Sequence, residues 1–183
     1  SNSSTSTPEQ QKKKATPTSA KEPNLSKFKI PHSQQAFSDQ ALVEHNKLRK
    51  THHANELTLN VELAKMAIDY AKILADSNRL LPSDFSYRSD HLGENLLMYA
   101  DANVTSMSGA VATQHWYNEG KEYNFESNKG KKSMRRFTQL LWKGSREVGF
   151  GCAKAHNGSY YCVALYYPSG NIENQYKDNL QKA

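Results

Sequence analysis

Long hydrophobic runs are missing from this 183-residue sequence. No stretch approaches the roughly 20 apolar residues that a membrane-spanning helix needs, so no transmembrane segment is expected. Aromatic residues are missing from residues 1–27, a segment built from Ser, Thr, Lys, Gln and Pro. Such a segment cannot bury enough apolar surface to offset the entropy of ordering, and it is expected to be a disordered tail. The domain proper is read as residues 28–183, with Phe28, Ile30 and Phe37 as its first apolar anchors. Basic residues are nowhere interleaved with aromatics in the manner of a nucleic-acid surface, which argues against that class of partner. Charge of one sign is only mildly in excess. Residues 1–40 hold six lysines against three acids, leaving +3 of the chain's +6 for the remainder. Lys12-Lys13-Lys14 and Lys131-Lys132 with Arg135 give at most a weak attraction to anionic membrane surfaces.

Cysteine is scarce as well, with only Cys152 and Cys162. From Glu147 onward Val148, Phe150 and Cys152 alternate with Gly149, Gly151 and Ala153, the period of two expected of a strand, and Tyr160 to Tyr167 return as its partner. If His156-Asn157-Gly158 form a three-residue hairpin loop, Ala155 faces Ser159 and Cys152 lies directly across from Cys162, a register that permits a disulfide. If Asn157-Gly158 alone make the turn, Cys152 faces Val163 and the two cysteines lie on opposite faces. The three-residue loop is preferred. An oxidised pair would imply an oxidising compartment, and two buried thiols a reducing one.

Ahead of the strands the pattern is helical. Ser38 is a plausible N-cap for a helix to about Thr51, with Asp39 complementing its dipole. Asn60 can cap a second helix to about Ser77, whose stripe runs through Leu63, Met66, Ala67, Tyr70, Ala71 and Leu74. A third spans Met107 to Glu119 and stops at Gly120. Residues 79–92 read as a loop with turn chemistry at Pro82-Ser83-Asp84. A short helix from Arg135 to Trp142 puts Phe137, Leu140 and Leu141 on one apolar face. Helices before strands indicate an α+β layered domain. A lone histidine on an apolar face, such as His45, is read as a hydrogen-bonded core residue.

Four short stretches carry more than periodicity. They are His45-Asn46-Lys47-Leu48-Arg49, Gly93-Glu94-Asn95-Leu96, Arg136-Phe137-Thr138-Gln139-Leu140-Leu141-Trp142, and Tyr167-Pro168-Ser169-Gly170-Asn171. In that order they resemble the signatures of the CAP family, also called SCP/TAPS: cysteine-rich secretory proteins, antigen five of wasp venom, and plant pathogenesis-related proteins. The resemblance runs from about Phe37 to Asn171. It implies a three-layer α-β-α sandwich around a small antiparallel sheet, and it makes His45, Asn46, Arg49, Asn95, Thr138, Gln139, Trp142, Pro168, Gly170 and Asn171 signature positions. Secreted members are rich in cysteine, whereas this chain is similar in its economy to the Golgi-associated branch. Sequons at Asn2, Asn24, Asn103 and Asn157 favour secretion, so the expected location is extracellular, with the cytoplasm or the Golgi membrane surface as the alternative.

The family's cleft usually holds two His and two Glu that can bind a divalent metal. By position, Glu94 and Glu119 supply the glutamates. The signature-helix histidine is replaced by Arg136, and the remaining one falls where this chain has Pro82, Ser83 and Asp84. A guanidinium cannot ligate a metal, but its donors can bridge two carboxylates. Arg136 is therefore expected to pair with both Glu94 and Glu119, with no metal or other cofactor. Rupture of such a pair, if buried, would cost about 3–5 kcal/mol. His91 is a minor candidate for a rearranged metal site. No His is placed to activate a Ser or Cys nucleophile, so no enzymatic activity is expected. The resemblance then implies binding of a sterol or fatty acid, with residues 97–105 as the mobile loop and Met98 and Tyr99 as ligand contacts. The alternative is a secreted protein-interaction module whose loops and Ser/Thr-rich tail contact a receptor or host protein, with Tyr160, Tyr161, Tyr166 and Tyr167 as residues suited to an interface, and third a metal-dependent hydrolase.

Overall fold

The computed structural model describes residues 27–183. The expected tail, residues 1–27, therefore lies outside the described residues except for Lys27. Helix α1 covers His32–Thr51, strand β1 Thr58–Leu59, helix α2 Val61–Ser77, strands β2 and β3 Ser86–Tyr87 and Asp90–His91, and strand β4 Gly93–Tyr99. Helix α3 covers Gly109–Asn118, a 3-10 turn at Lys132–Met134 leads into helix α4, Arg135–Leu141, and strands β5 and β6 cover Glu147–Lys154 and Tyr160–Tyr167. A last turn of helix, α5, spans Tyr176–Asn179.

The main sheet has the order β1-β5-β6-β4. It is mixed rather than wholly antiparallel: β5 and β4 run antiparallel to β6, but β1 runs parallel to β5. The two residues of β1 were invisible as a strand because they are defined by backbone bonds from elsewhere, Thr58 N to Arg146 O and Asn60 N to Val148 O, both 2.9 Å.

Alternation along β5 and β6 divides the core into two layers. Val148, Phe150, Cys162, Ala164 and Tyr166 face a cluster that includes Phe37 and Ala41 of α1, Trp116 of α3 and Leu140 of α4. Tyr161, Val163 and Leu165 face Leu63, Ala67, Tyr70, Ala71 and Leu74 of α2. Helices thus cover both faces of the sheet, giving the α-β-α sandwich. Gly149 and Gly151 occupy the α2 side of β5, where a Cβ would lie 2.1 Å from Ala64 N and 2.5 Å from Ile68 Cα respectively. Only glycine admits that approach of helix to strand.

Several boundaries differ from expectation. Helix α1 begins at His32, behind Pro31, and Ser38 is not its cap but a buried residue in its interior, with Oγ unpartnered. The polar first turn is recruited by a tertiary contact: the Gln34 side-chain amide donates to Cys152 O at 2.8 Å and accepts from Cys152 N at 3.0 Å. Asn60 does cap α2, accepting from Leu63 N at 3.1 Å. Ser108 caps α3, whose first residue, Gly109, lies two residues past the expected start at Met107. Residues 79–92, read as a loop, contain the β2–β3 hairpin, turned at Arg88 and Ser89 with φ of 50° and 66°. The three-residue loop at 156–158 forms, with Ala155 N donating to Ser159 O at 2.7 Å, and pairs Cys152 with Cys162. Both are free thiols, their Sγ atoms 2.7 Å apart.

Candidate functional site

The signature residues turn out to hold elements together. Arg49 is fully buried and donates to four carbonyls, Asn55 O, Leu140 O, Trp142 O and Ser145 O, at 2.8–3.0 Å. Two of these belong to the end of α4, whose last carbonyls have no partner within the helix. Asn46 closes a backbone-like pair with Leu57, accepting from its N–H and donating to its C=O. His45 Nδ1–H donates to Ala41 O at 2.8 Å, and its Nε2 accepts from Tyr166 OH at 2.6 Å. Asn95 donates both to Tyr166 OH and to Arg136 O. One polar chain therefore links β4, β6, α1 and α4 through the core. Burial drives the His45 pKa down to about 3, with the Arg49 charge adding to the fall.

A second network ties α4 to the last signature. Gln139 accepts from Gly170 N and donates to Ser145 Oγ, which donates to Pro168 O. Gln139 lies so close to Gly93 that a Cβ there would sit 2.1 Å from its Oε1. Thr138 Oγ1 donates to Asn171 Oδ1 at 2.5 Å, Asn171 adopts φ 57°, and Trp142 is buried against Tyr176.

These networks frame a cavity of about 320 Å³. Leu80, Leu92 and Leu96 supply apolar lining, Glu94, Arg135 and Arg136 supply charge, and Ser83 and residues 169–171 complete it. Arg136 Nε donates to Glu119 Oε1 at 2.5 Å, with the two side chains 38% and 25% exposed. Glu119 Oε2 is buried and unpartnered. Glu94 is not bridged by Arg136, contrary to expectation. Its carboxylate accepts from Ser83 N at 3.0 Å and from Ser83 Oγ. The loop ahead of β4 brings a local donor pair to Glu94, so the guanidinium is left to Glu119 alone. Burial pushes the Glu94 carboxyl up, the Ser83 hydrogen bonds pull it back, and Asp84 adds to the rise. Because the Arg136–Glu119 pair is partly open to solvent, breaking it costs less than the ~3–5 kcal/mol of a fully buried pair.

The residues present do not fit a divalent metal. Among the described residues no group of three or more His, Cys, Asp or Glu could hold one. Arg136, which lines the cavity, is permanently protonated and cannot ligate a metal. His91 lies exposed on β3 and does not line the cavity. No histidine lines it either, and His45 and His52 have both ring nitrogens engaged in the protein interior.

The expected ligand loop is also different. Leu97–Tyr99 end strand β4, and only residues 100–108 connect it to α3. Met98 is 45% exposed and pairs with Tyr161 on the α2 side of the sheet, whereas Tyr99 pairs with Tyr160 and packs with its ring 5.2 Å from His115 on the other. Successive strand residues point to opposite faces, so these two cannot form one patch. Tyr160, Tyr161 and Tyr166 are buried and offer no interface.

The fold, the two networks and the cleft together define a CAP domain. The profile of the cysteine-rich secretory protein family, CAP, matches residues 42–167, and the chain belongs to that family. It is 34% identical over 139 residues to Golgi-associated plant pathogenesis-related protein 1 of Homo sapiens, covering 76% of this chain and 87% of that protein. It is 34% identical over 142 residues to secreted protein RBT4 of Candida albicans, covering 74% of this chain but only 36% of that longer protein. Among solved structures, venom allergen-like protein 4 of Schistosoma mansoni superimposes with a TM-score of 0.54 at 26% identity, covering 76% of this chain and 90% of that one.

Proposed function

We propose that this CAP domain is a non-enzymatic binding protein for a lipid, either a sterol or a fatty acid. The observation that carries the reading is the cleft, where an Arg136–Glu119 ion pair stands in place of a metal-ligand set, beside a cavity with leucine lining. Ser83 donates to the Glu94 carboxylate and has no imidazole beside it, so it lacks the base that activates a serine nucleophile. A half-apolar concave site with a few fixed polar groups suits a small amphiphile. No described helix is long and apolar enough to cross a membrane. We place the protein with the secreted members of its family, and the exposed Lys131, Lys132 and Arg135 support only weak contact with anionic membrane surfaces.

Titration of the full chain with cholesterol and with a fatty acid tests the reading. Saturable binding of at least one is expected, with no chelator-sensitive hydrolysis of ester or peptide substrates. Failure of both lipids to bind, or turnover abolished by chelator, overturns it.

A further inference from the structure

Arg136 does more than block a metal. Only its Nε has a hydrogen-bond partner among the described residues, and both Nη groups are without one although the residue lines the cavity. Arg135, next to it, also lines the cavity, is exposed, and makes no side-chain hydrogen bond or ion pair among the described residues. Guanidinium groups with unused donors are matched in geometry to a carboxylate, which they bind through paired charge-assisted hydrogen bonds. The same cavity is lined by Leu80, Leu92 and Leu96, which call for an alkyl group.

The one opposing feature is Glu94. Its negative charge is turned to Ser83, whose N–H and hydroxyl both donate to it, and burial favours its neutral form. Glu119 already neutralises one of the two arginines, whereas Arg135 makes no ion pair among the described residues.

We propose that the cleft binds an amphiphilic organic carboxylate, its head group on Arg135 and Arg136 and its alkyl part against Leu80, Leu92 and Leu96. The assignment narrows the lipid-binding reading to one ligand class and one site, and it can fail while that wider reading stands.

Calorimetric titration of the full chain with octanoate tests it, against 1-octanol and acetate as probes with only the chain or only the head group. Octanoate is expected to bind saturably, at least tenfold more tightly than either control. Arg135→Gln, on an exposed side chain, and Arg136→Gln are each expected to weaken it about tenfold, the loss of a charge-assisted hydrogen bond. Glu94→Gln, which removes the opposing charge while keeping an acceptor for Ser83, is expected to tighten it several-fold, a gain that mere loss of structure cannot produce. Thermal melts of each variant report whether it folds. Octanol binding as tightly as octanoate, or octanoate binding untouched by Arg135→Gln and by Glu94→Gln, overturns the assignment. Cholesterol binding without octanoate binding overturns it while leaving the lipid-binding reading intact, and binding of neither lipid overturns both.

Discussion

Arg49 brings a positive charge into the core without an acid beside it; four carbonyl dipoles stand in for the missing counter-ion. Burial lowers its pKa to about 10, which leaves it protonated at neutral pH. Lysine carries the same charge but has a point-like head that cannot reach all four carbonyls. Arg49→Lys is expected to lower stability by more than about 3 kcal/mol in urea unfolding, because several buried carbonyls lose their donor. His45 makes a pH prediction. The unfolded chain protonates it near its ordinary value of 6.5, while the folded chain does so only at about 3. Between those values the unfolded state binds more protons, so stability falls as pH drops, by about 1.4 kcal/mol per unit from this residue. His45→Gln should flatten the slope of stability between pH 6.5 and 3 whatever it does to the absolute value, and equal slopes would contradict the buried neutral imidazole.

At the scale of elements, the tightest joint is the crossing of α2 over β5. The sequence shows glycines alternating with Val148, Phe150 and Cys152, but not the reason, which is the helix backbone lying against Gly149 and Gly151. Adding a methyl group at Gly151 must push α2 outward and break its contact with Val163 and Leu165. Gly151→Ala is therefore expected to destabilise by about 1–3 kcal/mol or more, measured by thermal or denaturant melts. Helix α4 illustrates the opposite kind of element. At seven residues it is too short to persist alone, and it is held by Arg49 at its end, Asn95 at the Arg136 carbonyl and Asn171 at Thr138 and the Arg135 carbonyl.

For the whole molecule, what periodicity encodes was legible in the sequence: helix α2 with its Asn60 cap, the β5–β6 hairpin with Cys152 opposite Cys162, and the layered α+β class. What depends on distant partners was not. The first turn of α1 needs Gln34 to meet Cys152, β1 needs β5 beside it, and Met98 and Tyr99 lie on a strand because β6 pairs with them. At the cleft, Arg136 stood out as a departure within a motif, and its partner Glu119 could be named from position. That Ser83 would claim Glu94 could not, because it depends on the path of the loop before β4. The central claim is that a tethered guanidinium fills the place of a diffusible cation. Zinc titration by calorimetry, on the native chain and on Glu94→Gln, tests it most directly: the account predicts no stoichiometric uptake by either, and one equivalent bound by the native chain but lost in Glu94→Gln would contradict it.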